Sequence, residues 1–322
     1  MRLKNRKIAN LAFRTIGIAL FAYILSRVNL GNVFRQFRNA DPRILLLAAA
    51  AEAMLIITKS IRWKMIAAIQ GIDIPMRKSL AAYTASLYFG IITPGRIGDF
   101  AKSYYLINSG IGIGKSIFSS LLDRIFDLIF LVIAGYISLL FFPDIIKNQL
   151  LVSSLLVLFV ALTIAILFWR RNLIVKLIRR FISGLRLPRV GQKVSDLTDE
   201  MLDDFGLLTA KQVFGLILLT IIAWSFHYTF FILSAHSLGI NASTGMMLIS
   251  ISAAIFVSLI PISIAGVGTR DLVLIMIFSR IGLSRDQAIS FSFTFIIVYI
   301  LVGLAGLICW FMSPFEVSSK SN

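Results

Sequence analysis

Seven charged residues stand inside or beside strongly apolar runs, and their types suit the binding of a phosphate. Arg96 and Asp99 lie in the elbow Pro94-Gly95-Arg96-Ile97-Gly98-Asp99. Arg270 and Asp271 close a second one, Pro261-Ile262-Ser263-Ile264-Ala265-Gly266-Val267-Gly268-Thr269-Arg270-Asp271. Asp123, Arg124 and Asp127 interrupt the apolar run after the first elbow. A guanidinium can donate two parallel hydrogen bonds to phosphate oxygens, and a carboxylate can hold it in aim. Gly95, Gly98, Gly266 and Gly268 permit tight backbone approach, and the half-helix after each elbow adds a favourable N-terminal dipole. Asp123 and Asp127 are four apart and share a helix face, while Arg124 lies about 100° round from Asp123. The structural alternative is internal pairing, for instance Arg96 with Asp123 or Asp127, that merely holds a bundle together.

These groups need a reason to be where they are. Residues are 58% hydrophobic and 15% charged, and mean hydropathy is +0.89, more apolar surface than a soluble domain of 322 residues can hide. The chain therefore reads as a polytopic membrane protein. A charge at the centre of a membrane helix costs roughly 2.5–3.5 kcal/mol on insertion, so each one asks for a partner or a function. The net charge of +17 fits basic loops on anionic headgroups and does not call for nucleic acid. The single Cys309 excludes an internal disulfide. No HExxH or Cys/His spacing suggests a metal, and Gly112-Ile113-Gly114-Lys115 lacks P-loop spacing, so no metal, cofactor or ATP is expected. With no GxSxG and no soluble catalytic region, no enzyme is expected either.

The positioning elements follow from the apolar runs. Spans are expected near 8–26, 43–61, 116–142, 149–169, 211–236 and 287–312. The first, behind Arg2, Lys4, Arg6 and Lys7, contains Arg14 and lacks a cleavage site, so it reads as an uncleaved helix and not a signal peptide. Two shorter runs, 79–93 and 246–260, lead into the proline elbows. Glu52 and Arg14 read as structural groups, and His227 and His236 as residues of one apolar helix. Basic loops set orientation: the N-terminus, Lys59 to Lys78 (with Lys59, Arg62 and Lys64), and Arg170 to Ala210 should be cytoplasmic. Treating both elbows as re-entrant then places both termini in the cytoplasm, with Arg27, Arg35 and Arg38 a misfit. The 170–210 segment reads as a cytoplasmic amphipathic loop, basic first and acidic after Asp196.

The two elbows also look like copies. Leu80 to Pro94 aligns with Met247 to Pro261, matching Phe89 to Phe256. Ile111-Gly112-Ile113-Gly114-Lys115 then sits beside Ile281-Gly282-Leu283-Ser284-Arg285. Units 79–142 and 246–312 would be inverted repeats, with substrate near the midplane.

The first elbow, followed by Leu121-Leu122-Asp123-Arg124-Ile125-Phe126-Asp127-Leu128, resembles the signature of the flippase-like membrane domain of bacterial lysylphosphatidylglycerol synthases. Gly266-Val267-Gly268-Thr269-Arg270-Asp271 is similar to that family's later glycine-rich element. The resemblance spans roughly residues 8–312 and implies a domain that binds or moves lipids with polar headgroups. Its soluble transferase is not found after Pro314, so aminoacyl transfer is not carried over.

The expected architecture is an all-α polytopic membrane protein, one domain over 1–322, with about 6–8 transmembrane helices, two re-entrant or broken helix elements and an inverted repeat. The expected function is a flippase-like lipid transporter in the cytoplasmic membrane. Arg96, Asp99, Asp123, Arg124, Asp127, Arg270 and Asp271 would bind an anionic, phosphate-containing headgroup. The alternatives are a non-transporting scaffold for a lipid-modifying enzyme, docked through the basic loop, and a small-solute carrier.

Overall fold

The computed structural model describes residues 40–141, 204, 206–259 and 269–312. The expected spans at 8–26 and 149–169, the 170–210 loop, Pro261 and the glycines Gly266 and Gly268 lie outside the described residues.

Four of the described helices begin where a side chain accepts from a backbone amide of the first turn. α1 (Pro42–Ile69) starts on Asp41, whose carboxylate accepts from the Arg43 amide at 2.8 Å, with proline at the first position. α2 (Met76–Ile92) leads into a 3₁₀ segment, Pro94–Phe100, and then α3 (Ala101–Asn108). α4 (Ile113–Leu140) follows a tight turn. α5 (Ala210–Ser237) opens with a reciprocal Thr209–Gln212 capping box. α6 (Thr244–Ser258) is capped by Ser243. α7 (Thr269–Arg280) leads to α8 (Arg285–Phe311), which opens with a second capping box, Ser284–Gln287. Among the described residues the chain is wholly helical, with no strand.

α1, α5 and α8 are long and apolar enough to cross a membrane. At 28 residues α4 is equally long, about 42 Å, but Asp123, Arg124 and Asp127 load its middle with charge. All four agree with the expected spans, except that α1 runs eight residues beyond its expected end at 61. Lys59 and Arg62 were expected in a cytoplasmic loop, and this is corrected: both are buried within α1. The helix continues because Trp63, Ile66 and Ala67 beyond them are apolar and fully buried. The cations are tolerated because carboxylates of α4 meet them.

α1 packs along α5, and α4 against both. Ile66, Phe118, Leu122, Phe126 and Leu216 join these three helices. α2 packs along α8, and α6 along α4, so the helix that leads into each elbow lies against the helix that follows the other elbow. Both crossings are made close by glycine. A side chain at Gly306 of α8 would strike the Thr84 carbonyl and Tyr88 on α2, and one at Gly135 of α4 would strike Phe256 on α6.

The turns after α3 and α7 have one geometry. Gly110 and Gly282 take φ of 86° and 79°, and the next amides, Ile111 and Leu283, return to Leu106 and Phe278 at 3.1 and 2.9 Å. The sequence register set Gly112 beside Gly282. The same turn ends α1 at Gly71 and α5 at Gly239, with φ of 77° and 69° and the amides of Ile72 and Ile240 returning to Ala67 and Ala235, so it sets no register between the two elbows.

Candidate functional site

Asp123 and Asp127, one turn apart on α4, face α1, which presents Lys59 and Arg62. Arg62 is fully buried and spans both carboxylates. Its Nε donates to Asp123 Oδ1 at 2.8 Å, and its Nη1 lies 3.0 Å from Asp127 Oδ1. A second Nη1 contact donates to Thr220 of α5 at 2.8 Å, and Nη2 donates to the Asp123 carbonyl at 3.1 Å. Lys59 Nζ donates to Asp127 Oδ2 at 2.9 Å and rests 4.6 Å from the Trp224 ring centroid. The indole Nε1 of Trp224 donates to Asp127 Oδ1 at 3.1 Å. Asp123 also takes Lys102 from α3 and the Tyr83 hydroxyl from α2 at 3.2 Å, and Lys102 sits 4.3 Å over the Tyr83 ring. Four helices thus converge on two carboxylates, each with several charge-assisted donors.

The elbow completes this centre. Asp99 lies 2.9 Å from Arg124 Nη1 and 3.3 Å from Arg96 Nε. Asp99 of the elbow and Lys102, three residues on in α3, therefore grip consecutive residues of α4, Arg124 and Asp123, with opposite polarity. The pairing of Arg96 with Asp123 or Asp127, one of the sequence expectations, is not made. Arg96 turns to Asp99, because Lys59, Arg62 and Lys102 already occupy the α4 carboxylates.

Two close approaches shape the elbow. The Asp99 carboxylate fills the place a Cβ would take at Gly90 of α2, and Gly98 lies against the Phe89 carbonyl. The Gly98 amide donates to Thr93 Oγ1 at 2.8 Å. Gly95 lies in the same 3₁₀ segment. Arg96 takes φ of 58°, in the left-handed region, unfavourable by roughly 1–2 kcal/mol for a residue with a side chain. Its Nε is within ion-pair range of Asp99 without forming a hydrogen bond, and Asp99 Oδ1 accepts none from the described residues. The Arg96 side chain is 43% exposed and that of Arg124 17%, so this is the open edge of an otherwise buried cluster.

Arg270 and Asp271 form a second group, on α7 and α8. Arg270 is fully buried, donates to Asp271 Oδ1 through Nε and Nη2 at 3.0 and 2.9 Å, and lies 4.5 Å from the Phe295 ring centroid. Ser292 of α8 donates to Asp271 as well. Aromatic rings bridge the two groups: Phe295 meets Phe231 at 4.0 Å, Phe231 meets His227 at 5.0 Å, and His227 meets Trp224 at 5.3 Å.

Lys59, Arg62, Tyr83, Thr220 and Trp224 were missed as site residues. The signal was there for two of them. Lys59 and Arg62 share a helix face by spacing, like Asp123 and Asp127, and oppositely charged pairs inside apolar runs must find one another. His227 reads in the sequence only as one residue of an apolar helix. Its Nδ1 is in fact 2.8 Å from Glu52 Oε2, a partner that α1 supplies from far along the chain. Among the described residues no three His, Cys, Asp or Glu side chains gather to hold a metal.

The fold and this centre define a multi-pass membrane protein with a charged cluster stitched through its helices. Residues 10–306 match the family described as the lysylphosphatidylglycerol synthase TM region, and the chain belongs to that family. It is similar to a UPF0104 membrane protein of Methanothermobacter thermautotrophicus, 23% identical over 327 residues, covering 95% of this chain and 93% of the relative. A UPF0104 membrane protein of Methanocaldococcus jannaschii is 24% identical, covering 95% of this chain and 94% of that one. No solved structure matches the chain.

Proposed function

We propose that this protein is a flippase-like transporter of the cytoplasmic membrane that binds a lipid by an anionic, phosphate-containing headgroup. The observation that carries the reading is the open edge at the first elbow. There Arg96 and Arg124 share the single carboxylate of Asp99, and Arg96 is held in a conformation that costs free energy. Strain retained at one arginine, with its side chain partly exposed beside a second, is what a headgroup clamp needs. Asp123 and Asp127 act behind them, fixing the helices that aim the clamp. Arg270 and Asp271 supply the counterpart at the second elbow.

The reciprocal packing of α2 on α8 and α6 on α4, each through a helix glycine, supports two inverted units, 79–142 and 246–312. Two such units rocking about a shared cavity would give alternating access. Cytoplasmic termini follow from the basic loops.

Native mass spectrometry of the purified protein tests the reading. An anionic lipid class retained by the wild type and lost in Arg96→Ala and Arg270→Ala is the expected result. Equal retention in all three would remove the headgroup site and favour a scaffold or a small-solute carrier.

A further inference from the structure

We infer that the headgroup taken at the first elbow carries at least two negative charges, as a phosphomonoester or a diphosphate does, and not the single charge of a phosphodiester. This rests on the function proposed above and specifies its substrate class.

The argument is a charge balance. Among the described residues the cluster holds five cations, Lys59, Arg62, Arg96, Lys102 and Arg124, against three carboxylates, Asp99, Asp123 and Asp127. The difference, five minus three, is an excess of two positive charges. Bulk water does little to disperse the part of it that lies behind the elbow: Arg62, Lys102, Asp123 and Asp127 are all at most 3% exposed. At that depth an unbalanced cation is costly and calls for a counter-charge. Glu52 is no remedy. It stands seven residues before Lys59, about 10 Å along α1, and is paired with His227.

The excess falls in two places. Lys59, Arg62 and Lys102 share two carboxylates behind, and Arg96 and Arg124 share one in front. The front pair is the accessible one, and beside it Arg96 Nε and Asp99 Oδ1 are buried without hydrogen bonds to the described residues. A headgroup arriving there meets two guanidinium groups over a positively charged floor. One negative charge balances half of the excess and two balance all of it. A cationic, aminoacylated headgroup would add to it. The second elbow differs, since among the described residues Arg270 is fully buried and paired with Asp271. The dianion is therefore assigned to the first elbow.

The test uses the full chain in phosphatidylcholine nanodiscs, offered phosphatidylglycerol, phosphatidate or a prenyl diphosphate, with inorganic diphosphate as a soluble competitor. Bound species are read by native mass spectrometry. Phosphatidate and prenyl diphosphate should be retained about tenfold over phosphatidylglycerol, from added charge-assisted contacts. Arg96→Gln, checked for an unchanged melting temperature, should narrow that gap. Phosphatidylglycerol retained as well as phosphatidate, and lost in Arg96→Gln, would overturn the dianion while leaving an anionic-lipid site. No anionic lipid retained by wild type would overturn both. Displacement of every lipid by inorganic diphosphate at equal concentration would overturn a lipid headgroup as the source of the charge.

Discussion

Arg96 is where binding and stability pull apart. Its φ of 58° is comfortable only for glycine. Arg96→Gly should raise stability by about 1 kcal/mol while abolishing lipid retention. A thermal melt and native mass spectrometry on the same sample separate these effects, and a fall in stability would mean that the ion pair with Asp99 outweighs the strain. Asp123→Asn should behave in the opposite way. Arg62 and Lys102 both depend on that carboxylate and are buried, so its neutralisation should cost about 3–5 kcal/mol. The measurement is the detergent melting temperature, and a change within error would show that the network tolerates the loss. Gly90→Ala should displace the Asp99 carboxylate and weaken lipid retention, although Gly90 carries no charge of its own.

At the scale of the helices, the exchange between α2 and α8 and between α4 and α6 predicts paired effects. Gly135→Ala and Gly306→Ala should each destabilise by about 1–3 kcal/mol through overpacking. A large difference between their melting temperatures would speak against equivalent interfaces. The α2–α8 contact can also be read chemically, because Cys309 of α8 packs against the cluster that Ala85, Tyr88 and Phe89 of α2 form, next to Thr84. Thr84→Cys should therefore give an internal disulfide under mild oxidation, seen as loss of both free thiols. Persistent thiol labelling would contradict the packing. Helix positions were legible in the sequence because the length of an apolar run is a local property. The end of α1 was not. Lys59 and Arg62 look like a loop until Asp123 and Asp127, more than 60 residues away, are brought beside them. The elbow charges could be read as significant from their cost in a membrane, but their partners could not, since spacing along one helix does not say which other helix faces it.

For the whole molecule, charge is sorted by depth. The excess of Lys and Arg lies largely in sequence outside the helical spans, where anionic headgroups can meet it, while the buried cations are knitted to carboxylates. Buried pairs are screened little by salt. Lipid retained at the first elbow should therefore survive a wash at about 1 M salt that strips loosely held anionic lipid from the basic loops. Retained lipid counted before and after the wash is the check, and loss of all of it would place the binding on the surface.

The reversed polarity with which Asp99 and Lys102 meet Arg124 and Asp123 works as a key cut for one lock. A one-residue screw of α4 would carry Asp123 into the place of Arg124 and set two carboxylates face to face. Between the elbow and α4 such slippage is forbidden, so the two travel as one body. The same body takes in the end of α2, since Asp99 fills the space at Gly90 and Gly98 lies on the Phe89 carbonyl.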